Sequence, residues 1–113
     1  MNKIFGLGID IVDINKFKTK HFENNKKFYQ KIFLDSEIQY CLKFKNFGQH
    51  FAGKFAIKEA VKKSLKEPID FLDIITGHED SKPTITLKLK NNYDFFVSVS
   101  HDKNYAIAIV IVQ

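Results

Sequence analysis

The longest periodic segment of the chain covers residues 48–66 and reads GQHFAGKFAIKEAVKKSLK. Its apolar residues recur at every fourth position, as they do along one face of an α-helix. One such row contains only alanines, at positions 52, 56 and 60, whose small side chains allow a neighbouring element to approach closely. The pattern predicts a long helix with a wide apolar face that the rest of the fold must cover.

Strand-like segments lie on both sides of this helix. Residues 3–12, KIFGLGIDIV, predict a buried strand in which two glycines permit close approach of another backbone. Four further strands are predicted after the helix, at residues 73–79, 84–90, 94–101 and 105–112. The final strand, YAIAIVIV, is apolar on both faces, which predicts a central position in a sheet or a place at a subunit interface.

Three shorter amphipathic segments separate the first strand from the long helix. Residues 13–20 predict a helix that Asp13 opens, and residues 22–33 predict another with a similar alternation of apolar and polar groups. A third helix is expected to be capped by Asp35 or Ser36 and to turn Cys41 inward. The order of strand, helices and antiparallel β run predicts an α+β fold, with residues 1–113 as one domain.

The composition limits the class of protein. With 44% hydrophobic and 27% charged residues, the chain is expected to be globular rather than disordered. No apolar run approaches the roughly 20 residues that a membrane-spanning helix needs. Cys41 is the single cysteine, so an internal disulfide and a cysteine-rich zinc site are excluded. A reducing compartment, the cytoplasm, is therefore expected.

All 18 basic residues are lysine, and the formal net charge is +5. Such a charge favours anionic partners by long-range attraction, but it does not distinguish a nucleotide, a nucleic acid and an acidic protein. The lack of arginine counts against base-specific recognition of DNA, in which arginine–guanine contacts are the most common. A basic module that binds single-stranded nucleic acid and a purely structural oligomerisation domain are the alternatives to an enzyme.

Two carboxylates stand out from their surroundings. Asp10 lies in an apolar strand, where a charged group is costly unless it is paired or bound to a metal. The simpler interpretation is that Asp10 caps the following helix. Glu59 lies beside the alanine row of the long helix and four residues before Lys63. Its simpler interpretation is a solvated surface pair with that lysine.

A third polar group ends the strand at 94–101. Ser98 and Ser100 are expected on one side of this strand, and His101 begins the turn that follows. A polar strand edge with a turn histidine is the simpler interpretation. Serines one and three residues before a histidine in the same strand do not make a hydrolase triad, and no G-x-S-x-G motif is present either. The other histidines, at positions 21, 50 and 78, lack metal-ligand spacing, and neither a Rossmann nor a P-loop motif occurs.

Three motifs occur in order along the chain: G-L-G-I-D-I-V, F-A-G-K-F-A-I-K-E-A-V-K-K and V-S-V-S-H-D. Together they resemble the holo-acyl-carrier-protein synthase family, the small phosphopantetheinyl transferases, over essentially the whole chain. The resemblance implies a 4′-phosphopantetheinyl transferase-like fold. It also implies Mg²⁺-dependent transfer of the 4′-phosphopantetheine arm of coenzyme A to a serine of apo-acyl carrier protein. Adenosine 3′,5′-bisphosphate would be the other product.

The resemblance implies roles for individual residues as well. Asp10 and Glu59 would be the protein ligands of Mg²⁺, or of Mn²⁺ in its place, and hard oxygen ligands suit such metals. Lys63 would hold the pyrophosphate, so Asp10, Glu59 and Lys63 form the implied catalytic group. The serine proton would pass to Glu59 through a water molecule, with His101 as the alternative acceptor.

Coenzyme A contacts are implied for five residues: Lys54, Lys58, Lys63, Ser100 and His101. For Lys58, a role as a helper or as a structural partner is the alternative. Lys16 and Lys20 would meet the acidic carrier protein, and the implied partners include neither nucleic acid nor membrane. Small members of the family form homotrimers with active sites at the subunit boundaries, and this is expected here. The chain departs from the family where Lys16 and Lys54 replace the usual arginine and where S-K-P replaces G-K-P at 81–83.

Overall fold

Five β-strands and four α-helices make up the described part of the chain, residues 3–113 of a computed structural model. The elements in order are β1 (Gly6–Asp13), α1 (Asn15–Lys18), α2 (Lys26–Gln30), α3 (Asp35–Leu42), α4 (Phe47–Ser64), β2 (Ile74–Glu79), β3 (Lys82–Leu87), β4 (Phe95–His101) and β5 (Tyr105–Val112). This order confirms the α+β fold class. None of the helices in residues 3–113 combines the length and apolar character that a membrane crossing requires.

The strands form two antiparallel sheets. β5 pairs with β1 on one side and with β4 on the other, so the predicted central position of the apolar last strand is confirmed. β2 and β3 form a separate two-stranded sheet. The turn between them contains Asp80 and Ser81, whose φ angles of 50° and 67° lie in the left-handed region.

Helix α4 packs directly against β1, and glycines on the strand make this possible. A side chain at Gly8 would overlap the carbonyl oxygen of Ala60, and one at Gly6 would overlap that of Ser64. The predicted close approach of another backbone to these glycines is therefore confirmed. Successive side chains of a strand alternate between its faces, so Asp10 shares the helix-facing side with the two glycines.

An aromatic cluster fills the core beside α4. It consists of Phe17, Tyr29, Phe33 and Phe51, all buried, with neighbouring ring centroids 4.6 to 6.2 Å apart. Cys41 is also buried, and this burial raises the pKa of its thiol to about 12. Only a thiolate is an effective nucleophile, and at this pKa the Cys41 thiol stays protonated at neutral pH. Cys41 is therefore a core residue and not a nucleophile.

Several predicted boundaries and one predicted cap are wrong. The helix at 13–20 is limited to α1, and the segment at 22–33 divides into a short 3₁₀-helix and α2. Neither Asp35 nor Ser36 caps α3, because the backbone N–H of Leu34 donates to the buried Glu37 carboxylate at 2.7 Å. β3 begins at Lys82, two residues earlier than predicted, because Lys82 pairs with Glu79 across the hairpin.

Candidate active site

The junction of β1 and α4 brings a carboxylate and an ammonium together. Lys63 Nζ donates to Asp10 Oδ1 at 3.0 Å and to the carbonyl oxygen of Ile9 at 3.0 Å. The Asp10 side chain is 13% exposed, whereas that of Lys63 is 53% exposed. Asp10 is therefore held in place by its surroundings, while the lysine remains accessible to a ligand from solvent.

Glu59 lies on the same side of α4 as Lys63, because residues four apart share a helix face. β1 and α4 run in opposite directions, since Gly6 lies against Ser64 and Gly8 against Ala60. The next helix-facing residue of β1, Asp10, therefore lies toward the Glu59 end of α4. Lys63 forms its ion pair with Asp10. The surface-pair interpretation of Glu59 would have required an ion pair between Lys63 and Glu59 instead.

The type of ligand that Asp10 and Glu59 offer, carboxylate oxygen, limits which metal ion could bind at the junction of β1 and α4. In residues 3–113, no three side chains of His, Cys, Asp or Glu come together in a metal-binding arrangement. A site of two protein carboxylates fits Mg²⁺, which usually keeps several waters and takes phosphate oxygens from its substrate as further ligands. The partly exposed Asp10 carboxylate leaves room for such ligands.

A cavity of about 590 Å³ opens on another side of α4. Helices α3 and α4, the β2–β3 hairpin and β4 contribute its lining: Tyr40, Phe44, His50, Gly53, Lys54, Ile57, His78, Ser81, Pro83, Val99 and His101. His101 reaches α4 at Gly53, where an added side-chain carbon would lie 2.9 Å from its Nε2 atom. Glycine at this position therefore makes room for the imidazole.

Lys54 lies in the wall of this cavity and is only 4% exposed. Its Nζ atom donates to Thr76 Oγ1 at 3.0 Å and lies 4.8 Å from the centroid of the Tyr40 ring. Burial lowers the pKa of Lys54, because a low-dielectric environment disfavours the charged form. The ammonium would therefore be stabilised by an anion in the cavity.

Three histidines surround the same cavity. The His50 ring stacks on Phe44 with centroids 3.7 Å apart, and the His78 ring stacks on Tyr40 at 4.4 Å. Desolvation lowers the pKa values of His50, His78 and His101, and nearby positive charges add to this effect for His50 and His78. Sequence analysis considered two of these histidines only as metal ligands, although His50 precedes Lys54 by one helical turn.

Residues 6–110 match the family model of the 4′-phosphopantetheinyl transferase superfamily. The chain belongs to this superfamily. It is 36% identical to the holo-[acyl-carrier-protein] synthase of Thermodesulfovibrio yellowstonii, over 96% of this chain and 98% of that relative. The phosphopantetheinyl transferase assignment therefore applies to nearly the full length.

Solved structures of holo-(acyl-carrier-protein) synthases have the same fold as this phosphopantetheinyl transferase. The enzyme of Bacillus anthracis, in complex with CoA (3′,5′-ADP), superimposes with a TM-score of 0.82 at 29% identity and covers 96% of each chain. The enzyme of Helicobacter pylori, in complex with coenzyme A, gives a TM-score of 0.78 at 34% identity, over 95% of this chain and 99% of that one.

Lys58 has a different place in this transferase from the one that the resemblance implied. It is completely buried, and its ammonium donates to Glu37 Oε1 at 2.7 Å and to the carbonyl oxygens of Ile32 at 2.8 Å and Phe71 at 3.0 Å. These bonds use all three ammonium protons. The expected coenzyme A contact of Lys58 is therefore corrected to a structural ion pair.

Ser100 and His101 are adjacent in sequence but point to opposite sides of β4. His101 faces α4 and the cavity, as its approach to Gly53 requires. Ser100 is exposed on the outer face of the sheet, opposite Ile107 of β5. The chain by itself therefore does not bring these two residues to one site.

The two lysines expected to meet a carrier protein rest on aromatic rings. Lys16 Nζ lies 4.3 Å from the centroid of the Phe55 ring, and Lys20 Nζ lies 4.6 Å from that of Phe28. Lys16 is exposed and Lys20 is partly exposed. These cation–π contacts orient both ammonium groups while leaving them open to solvent.

Proposed function

We propose that this protein is a holo-[acyl-carrier-protein] synthase. It transfers the 4′-phosphopantetheine arm of coenzyme A to a serine of apo-acyl carrier protein and releases adenosine 3′,5′-bisphosphate. The observation that carries the proposal is the Asp10–Lys63 ion pair at the junction of β1 and α4, with Glu59 one helical turn from Lys63, in a chain with full-length relatives of this name. The cationic cavity beside Gly53 and Lys54 supports it further.

Asp10 and Glu59 would hold a Mg²⁺ ion, or Mn²⁺ in its place, together with phosphate oxygens of coenzyme A. When bound, the metal neutralises charge on the diphosphate during the transfer. This role explains why a carboxylate lies between the apolar residues Ile9 and Ile11 of β1. The same carboxylate positions Lys63 beside it by a direct ion pair.

Lys63 is the residue that would hold the pyrophosphate. Its ammonium is accessible, and the donor that now bonds Asp10 could bind a phosphate oxygen as a point charge. The carrier serine oxygen forms a bond to the pantetheine-side phosphorus, and the bond from this phosphorus to the oxygen of the other phosphate breaks. Lys63 would stabilise the negative charge that develops on the leaving phosphate.

The serine proton needs an acceptor close to the attacking oxygen. Glu59 would receive it through a water molecule, and its position one helical turn from Lys63 supports this role. His101 is the second candidate, because burial lowers the pKa of its imidazole and so favours the basic, neutral form at neutral pH.

Lys54 and His101 would bind a phosphate of coenzyme A, the 3′-phosphate, in the cavity that they both line. The buried charges around the cavity support this assignment. Glu37 is the single buried carboxylate within the described residues, and it pairs directly with Lys58, whereas the buried Lys54 is linked to it only through the Thr76 hydroxyl. One positive charge is therefore left for an anionic ligand to compensate.

Recognition of the carrier protein would use the lysines at the start of the chain. Lys16 and Lys20 present oriented ammonium groups, and an acidic carrier would be attracted to them by electrostatic steering. The protein would act in the cytoplasm as a homotrimer with active sites at subunit boundaries. In such an assembly Ser100, on the outer face of the sheet, would contact coenzyme A near the neighbouring subunit.

A single reaction tests the function. The protein is mixed with coenzyme A, Mg²⁺ and an apo-acyl carrier protein, and the carrier is examined by mass spectrometry for the addition of one phosphopantetheine. Asp10→Asn and Glu59→Gln should each lower the rate about 100-fold or more, since both remove a metal-binding charge. Asp13→Asn, an exposed neighbour on β1, should leave the rate unchanged. Lack of transfer with several carrier proteins would refute the proposed function.

A further inference from the structure

Thr76 of β2 connects the cavity to the buried carboxylate of α3. Its hydroxyl accepts a hydrogen bond from Lys54 Nζ at 3.0 Å and donates one to Glu37 Oε2 at 2.6 Å. The backbone N–H of Thr76 donates to the same carboxylate oxygen at 2.8 Å. Lys54, Thr76 and Glu37 are all buried, so water does not compete with these bonds.

The donor and the acceptor of each hydrogen bond between Lys54, Thr76 and Glu37 follow from the chemistry of the groups. A hydroxyl has one proton, and an ionised carboxylate can only accept. The Thr76 proton must therefore point to Glu37, and only the hydroxyl lone pairs are left to face Lys54. The other carboxylate oxygen of Glu37 accepts hydrogen bonds from the backbone N–H of Leu34 and from Lys58. These bonds hold the carboxylate in the orientation that faces Thr76.

A lysine in this wall needs such an acceptor. Its ammonium is carried on a flexible four-carbon stem with rotatable donors, and it lacks the rigid fork with which arginine binds phosphate. Here the Thr76 hydroxyl takes one of its three protons, and the Tyr40 ring contacts the ammonium from another side. Two protons then remain for an anion in the cavity.

We propose that Thr76 and Glu37 are positioning residues that fix the Lys54 ammonium in the cavity wall and thereby determine how strongly the enzyme prefers coenzyme A to 3′-dephospho-coenzyme A. The inference rests on the proposed function. It adds that selectivity for the 3′-phosphate depends on a hydroxyl that does not itself touch the substrate.

Isosteric replacement of the hydroxyl tests the inference. Thr76→Val keeps the shape of the side chain and removes the acceptor, whereas Thr76→Ser keeps the acceptor and serves as the matched control. The ratio of kcat/KM for coenzyme A to that for 3′-dephospho-coenzyme A is measured for each variant. Thr76→Val should lower this ratio roughly tenfold, through a higher KM for coenzyme A with kcat nearly unchanged, because an oriented charged hydrogen bond is lost. Thr76→Ser should retain the ratio within about twofold.

Lys54→Met should lower the ratio as well, and adding Thr76→Val to this variant should have no further effect if the hydroxyl acts through the lysine. An unchanged ratio in Thr76→Val, or in Lys54→Met, would overturn the inference even if thermal stability falls. If Thr76→Val does not fold, Thr76→Ala removes the same hydroxyl and is judged by the same ratio. Wild-type transfer to the carrier protein tests the proposed function separately, so the two failures are distinguishable.

Discussion

The lysines of α4 that lie four residues apart have very different surroundings. Lys54 lines a cavity, Lys58 is completely buried in an ion pair, and Lys62 extends over the ring of Phe71, with its Nζ atom 4.0 Å from the ring centroid. In the buried pair of Lys58 and Glu37, all three protons of the ammonium are hydrogen-bonded. The opposite charge and these hydrogen bonds together compensate the cost of removing the pair from water. Removing one partner would leave the other charge buried without compensation.

Lys58→Met should therefore lower the free energy of unfolding by about 3 kcal/mol or more, because the Glu37 carboxylate would lose its cation. Urea denaturation followed by circular dichroism measures the change. Lys66→Met removes an exposed lysine just beyond α4 and should change stability by less than about 0.5 kcal/mol. Equal unfolding midpoints for the two variants would contradict the importance of the buried pair.

The cavity histidines should make stability depend on pH. Desolvation lowers the pKa values of His50, His78 and His101 in the folded chain below the ordinary value of about 6.5. As the pH falls below that value, the unfolded chain binds protons that the folded chain resists, so stability decreases toward the folded pKa values and is retained above pH 6.5.

The urea midpoint of the wild type should consequently fall between pH 7.5 and pH 5.5. The double variant His50→Asn/His78→Asn should lose less over the same interval, because two of the three cavity imidazoles are then absent. A double variant with the full wild-type loss would show that other groups cause the pH dependence.

At the scale of elements, the contact between β1 and α4 determines the geometry of the site. It holds Asp10 against Lys63, and it depends on a strand without side chains at positions 6 and 8. Gly8→Ala would force the new carbon against the Ala60 carbonyl, which is backbone and cannot rotate away. The two elements would have to separate.

Gly8→Ala should destabilise the protein by about 3 kcal/mol, at the upper end of overpacking effects, and should also lower phosphopantetheine transfer, because Asp10 moves with its strand. Gly77→Ala is the matched control in β2, where the added carbon would lie 3.2 Å from the Thr84 hydroxyl, an atom that can shift. Thermal unfolding and the mass-spectrometric transfer assay measure the two effects. A Gly8→Ala variant as stable and active as Gly77→Ala would exclude this account.

Sequence periodicity could predict these elements because burial repeats along each of them. It predicted α4, the central β5 and the glycine contacts, and the motifs named Asp10, Glu59 and Lys63 as candidate site residues, of which Asp10 and Lys63 are in direct contact. It could not predict the surroundings of Lys58, because its partner Glu37 comes from another helix and the pairing depends on tertiary packing. Periodicity also could not predict that three histidines line one cavity, because they come from different elements that only tertiary packing brings together.

At the scale of the whole molecule, the outer face of the three-stranded sheet is largely apolar and is not covered by any part of residues 3–113. Its large exposed side chains come from all three strands: Leu7, Ile9, Ile11, Phe96, Ile107 and Ile109. Exposed apolar patches of this kind are typical of protein–protein contacts, and this face is the one that the proposed homotrimer would bury. Its position explains why β5 is apolar on both sides, since one side faces α4 and the other is free to meet a second copy.

Ile109→Asp should dissociate the proposed homotrimer. Ile109 lies opposite Ile9 of β1 and Ser98 of β4, so a carboxylate there would be buried without a partner at the centre of the interface. Light scattering after size-exclusion chromatography should give about three times the 13.2 kDa chain mass for the wild type and a single chain mass for the variant. Transfer activity should fall with the trimer, because each active site would be completed across a boundary.

Leu89→Asp provides the matched control for this change. Leu89 is 64% exposed but lies between β3 and β4, outside the sheet face, so the same charge should leave both mass and activity unaltered. A monomeric wild type would refute the interface, and so would an Ile109→Asp protein that keeps the trimer mass. An Ile109→Asp protein that is monomeric and fully active would support the proposed interface. It would contradict the proposal that the active site is completed by a neighbouring subunit.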